Sequence, residues 1–188
     1  MKVKDYWLLN NGKVHASLRD ISVDDSDRNN RVYMTDSKAI VVNFDLVKRE
    51  YMKALHISED NAKSVDALFE MVSAHDEDPD ICLLEFKNGG VEPRDIERKV
   101  RDSLLILQSI TVTQLEDTRN HVQFVLVYNA DKNPMNYRER LALAKANQGK
   151  LDFCRFGLTH LRGFCFKSVA AYNQEEFEKK IVPNIRTF

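Results

Sequence analysis

Two nearly unbroken apolar runs, residues 81–87 (ICLLEFK) and 122–128 (VQFVLVY), dominate the chain, and a helical pattern stands between them. Short runs of Val, Ile, Leu and Phe without alternation mark strands buried on both faces. Residues 94–110 place Ile96, Val100, Leu104 and Leu107 on one face at the 3.6-residue period. Strands interleaved with helices in this way are accommodated by a layered α/β domain, in which helices cover a central sheet.

The flanking segments extend the pattern. Asn43 caps a helix that carries Phe44, Val47, Tyr51 and Leu55 on one face. Residues 64–72 (SVDALFEMV) read as a strand. Asn133 as cap, Pro134 in the first turn and Gly149 just past the end delimit another helix. Residues 163–169 read as a further strand. Asn173 with Glu176 forms a capping box for a last helix bearing Phe177 and Ile181, closed near Pro183. Ahead of this core, residues 5–19 hold one or two short strands, 20–30 (DISVDDSDRNN) form an acidic surface loop, and 39–42 are a short apolar run. The expected architecture is one three-layer α/β/α domain over 1–188 with a central mixed sheet. It divides into an N-terminal extension, 1–42, and a core, 43–188.

Composition narrows the classes. A 188-residue chain with 43% hydrophobic residues supports one domain with a substantial core. A net charge of −1 neither marks nor excludes a nucleic-acid binder, because local patches matter more than the sum. Cys82, Cys154 and Cys165 are odd in number, and Cys82 and Cys165 lie among apolar neighbours, which fits reduced, buried thiols. With neither CxxC nor HExxH, the pattern argues against zinc. No segment approaches the roughly 20 apolar residues of a bilayer span. The N-terminus lacks the apolar stretch and cleavage site of a secretory signal. The expected location is the cytoplasm, with no membrane partner.

Chemistry enters through Glu85-Phe86-Lys87. An acid-x-Lys string is expected about twice by chance in this composition and occurs four times, so the string alone carries nothing. Its place decides. Residues i and i+2 share a face only on a strand, and only Glu85 and Lys87 stand at the end of a strongly apolar strand. A charge there is costly unless it is paired, reaches the edge or binds a metal. If strands 64–72 and 81–87 pair as an antiparallel hairpin with Val72 facing Ile81, then Asp66 faces Lys87 and Leu68 faces Glu85. Asp66 and Glu85 are then diagonal neighbours on one face. A one-residue slip would remove the site.

An Asp on one strand, Glu-x-Lys at the end of the next, and a following helix resemble the PD-(D/E)XK superfamily of nucleases. The resemblance implies a restriction-endonuclease-like fold with an αβββαβ core and a Mg²⁺- or Mn²⁺-dependent phosphodiesterase. Asp66 and Glu85 would be the metal ligands, and Lys87 would orient or activate the attacking water. It further implies DNA as substrate, RNA as the lesser candidate, and a homodimer as one assembly state. It covers roughly residues 43–130. Residues 56–63 (HISEDNAK) are too polar for the family's first core strand, which leaves a strand from 32–42 to take that place. Pro79-Asp80 spells the motif's first two letters, but at the far end of the strand from Glu85.

Glu70, on the same expected face, and Glu50, on the first helix, are accessory acids. Arg98, Lys99 and Arg101 on the following helix are candidates for nucleic-acid contact. So are Arg138 and Lys145, within a stretch from Lys132 to Lys167 with eight Lys/Arg and two acids. Tyr137 and Phe156 are of the right type to stack on bases, and Asn88-Gly89-Gly90 to present backbone N–H groups to phosphate. His75 falls in the polar loop 73–80. Two other classes compete with the nuclease: a nuclease-fold module that has lost catalysis and binds nucleic acid or protein, and an interaction domain of a different α/β fold. Asp66 and Glu85 on opposite sheet faces would establish the last.

Overall fold

The computed structural model describes residues 2–24, 31–72 and 79–187. In chain order the elements are β1 (His15–Ser17), α1 (Leu18–Ile21), β2 (Val23–Asp24), β3 (Val32–Tyr33), β4 (Ile40–Asn43), α2 (Phe44–Ala54), β5 (Ala67–Met71) and β6 (Asp80–Lys87). They continue with α3 (Pro93–Thr111), α4 (Leu115–His121), β7 (Val122–Tyr128), α5 (Tyr137–Asn147), β8 (Ser168–Asn173), α6 (Gln174–Lys180) and β9 (Ile185–Arg186).

Seven strands form one mixed sheet in the order β1-β4-β5-β6-β7-β8, with β9 pairing β5 off that path. Pairs from β1 to β6 are antiparallel, and β6-β7-β8 are parallel. The hairpin β2-β3 lies outside the sheet. Part of the 1–42 segment is therefore built into the main sheet through β1 and β4. Residues 56–63 hold only a 3₁₀ turn at Glu59–Asn61, and β4 stands beside β5 instead.

Strand alternation sorts the core into two layers. Leu68, Ile81, Leu83, Phe124 and Leu126 pack with Val47 of α2 and with Ile96, Val100 and Leu104 of α3. Ala67, Phe69, Cys82, Leu84, Phe86, Val125 and Val127 face the other way and pack with Leu18 of α1 and Phe177 of α6. Helices thus cover both faces, as the strand–helix alternation implies. Each fully buried side chain such as Leu83 contributes about 1.5–3 kcal/mol of transfer free energy. The three cysteines are free and buried. Among the described residues no helix is long and apolar enough to cross a membrane.

The structure corrects three local expectations. The helix expected from Asn133 starts at Tyr137: Asn136 and Glu139 cap each other reciprocally, at 3.0 and 3.1 Å, and satisfy two orphan donors there. Asn133 is engaged elsewhere, accepting from the Val91 N–H at 2.9 Å and donating to the carbonyls of Gly89 and Asn129. The strand expected at 163–169 is β8, five residues later. Gly163 takes φ +69 and its N–H donates to the Phe166 carbonyl at 2.8 Å, so the apolar run first turns before it extends. Within the expected loop 20–30, α1 ends at Ile21 and β2 follows. Residues 25–30 of that loop, and His75 with 73–78, lie outside the described residues.

Candidate active site

The β5–β6 register places the carboxylates. Leu68 pairs with Leu83 and Glu70 with Ile81, two residues from the alignment that sets Val72 against Ile81. Val72 has left the ladder, donating its N–H to the Asn184 carbonyl at 2.8 Å where β9 joins β5. A shift of two preserves every inside–outside assignment, so hydrophobic pattern does not distinguish the two registers. Continued one step past Ala67↔Leu84, the observed alignment sets Asp66 directly opposite Glu85 instead of Lys87. Both carboxylates project from the face that α3 covers.

Asp66 is held from both sides. Its N–H donates to the Leu84 carbonyl at 3.0 Å, and its carbonyl accepts from Phe44 N–H at 2.9 Å, at the start of α2. Its Oδ2 accepts from the Phe86 N–H at 2.6 Å. Glu85 is wholly buried in β6, between β5 and β7. Its Oε1 accepts from Lys99 Nζ at 2.5 Å, and its Oε2 has no hydrogen-bond partner among the described residues. Lys99 Nζ lies 4.0 Å from Asp66 Oδ1 and so stands beside both acids. Lys87, on the same strand face, ends 3.9 Å from Asp95 Oδ2 in the first turn of α3.

This crowding shows in the proton affinities. Burial pushes the Asp66 carboxyl up to about 6, against the pull of Lys99 and of the Phe86 N–H, while the charge of Asp45 on α2 adds to the rise. Burial, and then the Asp66 charge, hold Glu85 well above the ordinary carboxylate range, with Lys99 opposing. For Lys99, burial works against the charged form, but Glu85 and Asp66 outweigh it and keep the ammonium protonated.

These side chains open into a cleft of about 350 Å³ at the carboxyl end of β6, where open α/β sheets place ligands. Its walls include Asp66, Glu85, Lys87 and Lys99 on one side and Ser22, Val23 and Asp24 of the α1–β2 segment on the other. Asn88 closes the end: its side chain donates to Asp24 Oδ2 at 2.7 Å and accepts from the Asn129 amide at 2.8 Å.

The other candidates fall elsewhere. Glu70 accepts from the Val3 N–H at 2.6 Å and pairs with Arg186 at 3.1 Å, which accounts for its burial. Glu50 is exposed on α2, and the acid of that helix whose charge reaches Asp66 is Asp45. Arg98 and Arg101 form i,i+4 pairs with Asp102 and Glu97 on the outside of α3. Arg138 and Lys145 are exposed on α5, a helix with no buried residue, and Tyr137 at its start is exposed as well. The Phe156 ring packs edge-on against Tyr128 at 5.2 Å, with the buried Arg155 against both rings. Asp80 sits at the opposite end of β6, bonded to Lys167 and Gln123. Gly89 lines the cleft, and Asn88-Gly89-Gly90 otherwise serve as the turn between β6 and α3.

The sequence offers Lys99 as a nucleic-acid contact beside Arg98 and Arg101, and its pairing with Glu85 is what the structure adds. Its position in the helical phase carried the signal. Residues 96, 99, 100, 103, 104 and 107 form one stripe, and Ser103 within it is buried, its hydroxyl accepting from the Val65 N–H at 2.9 Å. Comparison with family models, with curated proteins and with solved structures gave no match.

Proposed function

We propose that the protein is a metal-dependent nuclease that hydrolyses phosphodiester bonds, with DNA as first substrate and RNA as second, built on a restriction-endonuclease-like version of its α/β sheet. The observation that carries this reading is the buried Oε2 of Glu85, without a hydrogen-bond partner among the described residues, on a residue whose register sets it opposite Asp66 at the wall of an open cleft. A carboxylate oxygen without a donor is costly in a protein interior. A hard divalent cation is a natural partner for such oxygens.

The donor set fits Mg²⁺ or Mn²⁺. Among the described residues no group of three or more His, Cys, Asp or Glu is arranged to hold a metal. Two carboxylates with water in the remaining positions is the coordination Mg²⁺ commonly keeps. Asp66 and Glu85 would hold the ion, which when bound supplies Lewis acidity toward a phosphate oxygen and lowers the pKa of water. Asp66 is oriented for this by the Phe86 N–H on its Oδ2. Lys87, partly exposed and steadied by Asp95, offers positive charge where the reacting phosphate gathers negative charge. The α1–β2 wall narrows solvent access from the other side.

The experiment is cleavage of supercoiled, linear and single-stranded DNA and of RNA, with Mg²⁺, Mn²⁺ or EDTA, comparing wild type with Lys87→Ala. Metal-dependent cutting that disappears in a folded mutant supports the enzyme. A second reading draws on the Lys99–Glu85 ion pair, which already supplies a cation to the acids: a nuclease-fold module that binds nucleic acid or a protein without cutting. Binding without cleavage by well-folded protein would favour it.

A further inference from the structure

Lys99 stands beside both acids of the cleft. Its Nζ touches Glu85 at 2.5 Å and stands 4.0 Å from Asp66. One ammonium faces two acids, and it leaves Glu85 Oε2 without a donor among the described residues. A purely structural ion pair at this depth holds well only when its remaining acceptor atoms are also satisfied. Lys99 also borders the cleft, with 23% of its side chain exposed, on a flexible four-carbon stem. The helix does not depend on it for docking, because Ile96, Val100, Leu104 and Leu107 hold α3 to the sheet. Lys87 is not equivalent: it pairs with Asp95 in the first turn of α3, at 3.9 Å.

We infer that Lys99 is the resident counter-ion of the Asp66–Glu85 pair, displaced when a divalent cation enters, so that α3 sets how tightly the site holds metal. The inference rests on the metal-dependent reading above and adds a regulator to it. Without metal, the ammonium keeps two acids together that would otherwise repel. With metal, it moves toward the cleft. Lys99 is a positioning residue in this scheme, acting through the two carboxylates.

The test is Mn²⁺ alone, titrated calorimetrically into the full chain near neutral pH. Lys99→Gln removes the charge and keeps a donor for Glu85, and it should bind Mn²⁺ roughly tenfold tighter or more than wild type, the scale set by removing a like charge a few ångströms from the ion. Lys87→Gln, the same change in net charge, should shift affinity clearly less. A readout on unaltered protein guards against a variant that does not fold: acetylation of Lys99, followed by peptide mass spectrometry, should speed up when Mn²⁺ is bound. Equal Mn²⁺ affinity in wild type and Lys99→Gln, an equal gain in Lys87→Gln, or Lys99 acetylation indifferent to Mn²⁺ would each overturn the role of Lys99 while leaving the metal site standing. No Mn²⁺ binding by wild type and Lys99→Gln alike would overturn both readings together.

Discussion

Lys99 on α3 and Glu85 on β6 meet at 2.5 Å near the carboxyl end of a strand whose six inner residues are all buried. The pair is asymmetric: Glu85 is wholly enclosed, while Lys99 reaches it from the rim of the cleft. Removing either partner therefore has different consequences.

Lys99→Met leaves a buried acid without its counter-ion. Unfolding in urea, without divalent metal near neutral pH, should show a loss of about 3 kcal/mol. The double variant Lys99→Met/Glu85→Leu should recover most of it, because no charge is then left buried. If the single and double variants lose the same stability, the unpaired Glu85 carboxylate is not the source of the loss.

The raised proton affinity of Asp66 makes metal-free stability fall as pH rises. The folded protein keeps this proton up to about pH 6, whereas the unfolded chain releases it near 3.8. The group's favourable contribution is therefore complete below the lower value and lost as pH passes the higher. Glu85 titrates in the same direction. The span corresponds to about 3 kcal/mol, and urea midpoints measured with EDTA across it should fall in wild type and fall less in Asp66→Asn.

Under the proposed nuclease reading, Lys87 is the residue that tests catalysis. Lys87→Ala should reduce kcat roughly 10²–10³-fold, the usual loss of one electrostatic contact to a developing charge. Mn²⁺ affinity should stay within a few-fold of wild type, since Lys87 contacts neither carboxylate directly and pairs with Asp95. Cleavage assays and Mn²⁺ titration together separate the two effects.

Glu70 serves the fold. It anchors the Val3 N–H and Arg186, joining both ends of the described chain to β5. Glu70→Ala should cost about 2 kcal/mol, the scale of a charge-assisted hydrogen bond lost with its donor left buried. Mn²⁺ affinity and any cleavage activity should be unchanged once the variant is folded, which calorimetry and chemical unfolding can check side by side.

Much of this arrangement was legible before any coordinates. Residues 81–87 and 122–128 are apolar but for Glu85, Lys87 and Gln123, and such runs are at home inside a sheet. The helices after Asn43 and Asn173 announce themselves by caps, and the one over residues 94–110 by its 3.6-residue stripe. Asp66, Glu85 and Lys87 were legible as one group because period-two alternation survives any even shift of register. The start of α5 was misread because Asn133 and Asn136 are equally good caps, and only the tertiary demands of Val91 and Gly89 assign Asn133 elsewhere.

The sequence by itself determined the layers, the two neighbouring strand segments that carry the acids, and the face they share, because these follow from local periodicity and the cost of burying charge. Only the tertiary structure decided which residue stands opposite Asp66, since the pattern tolerates a two-residue shift and the departure of Val72 toward Asn184 accompanies the one observed. It alone brought Lys99 to Glu85, because a helix's rotation against a sheet is set by the packing of its whole apolar stripe, which no single residue's neighbours in sequence reveal.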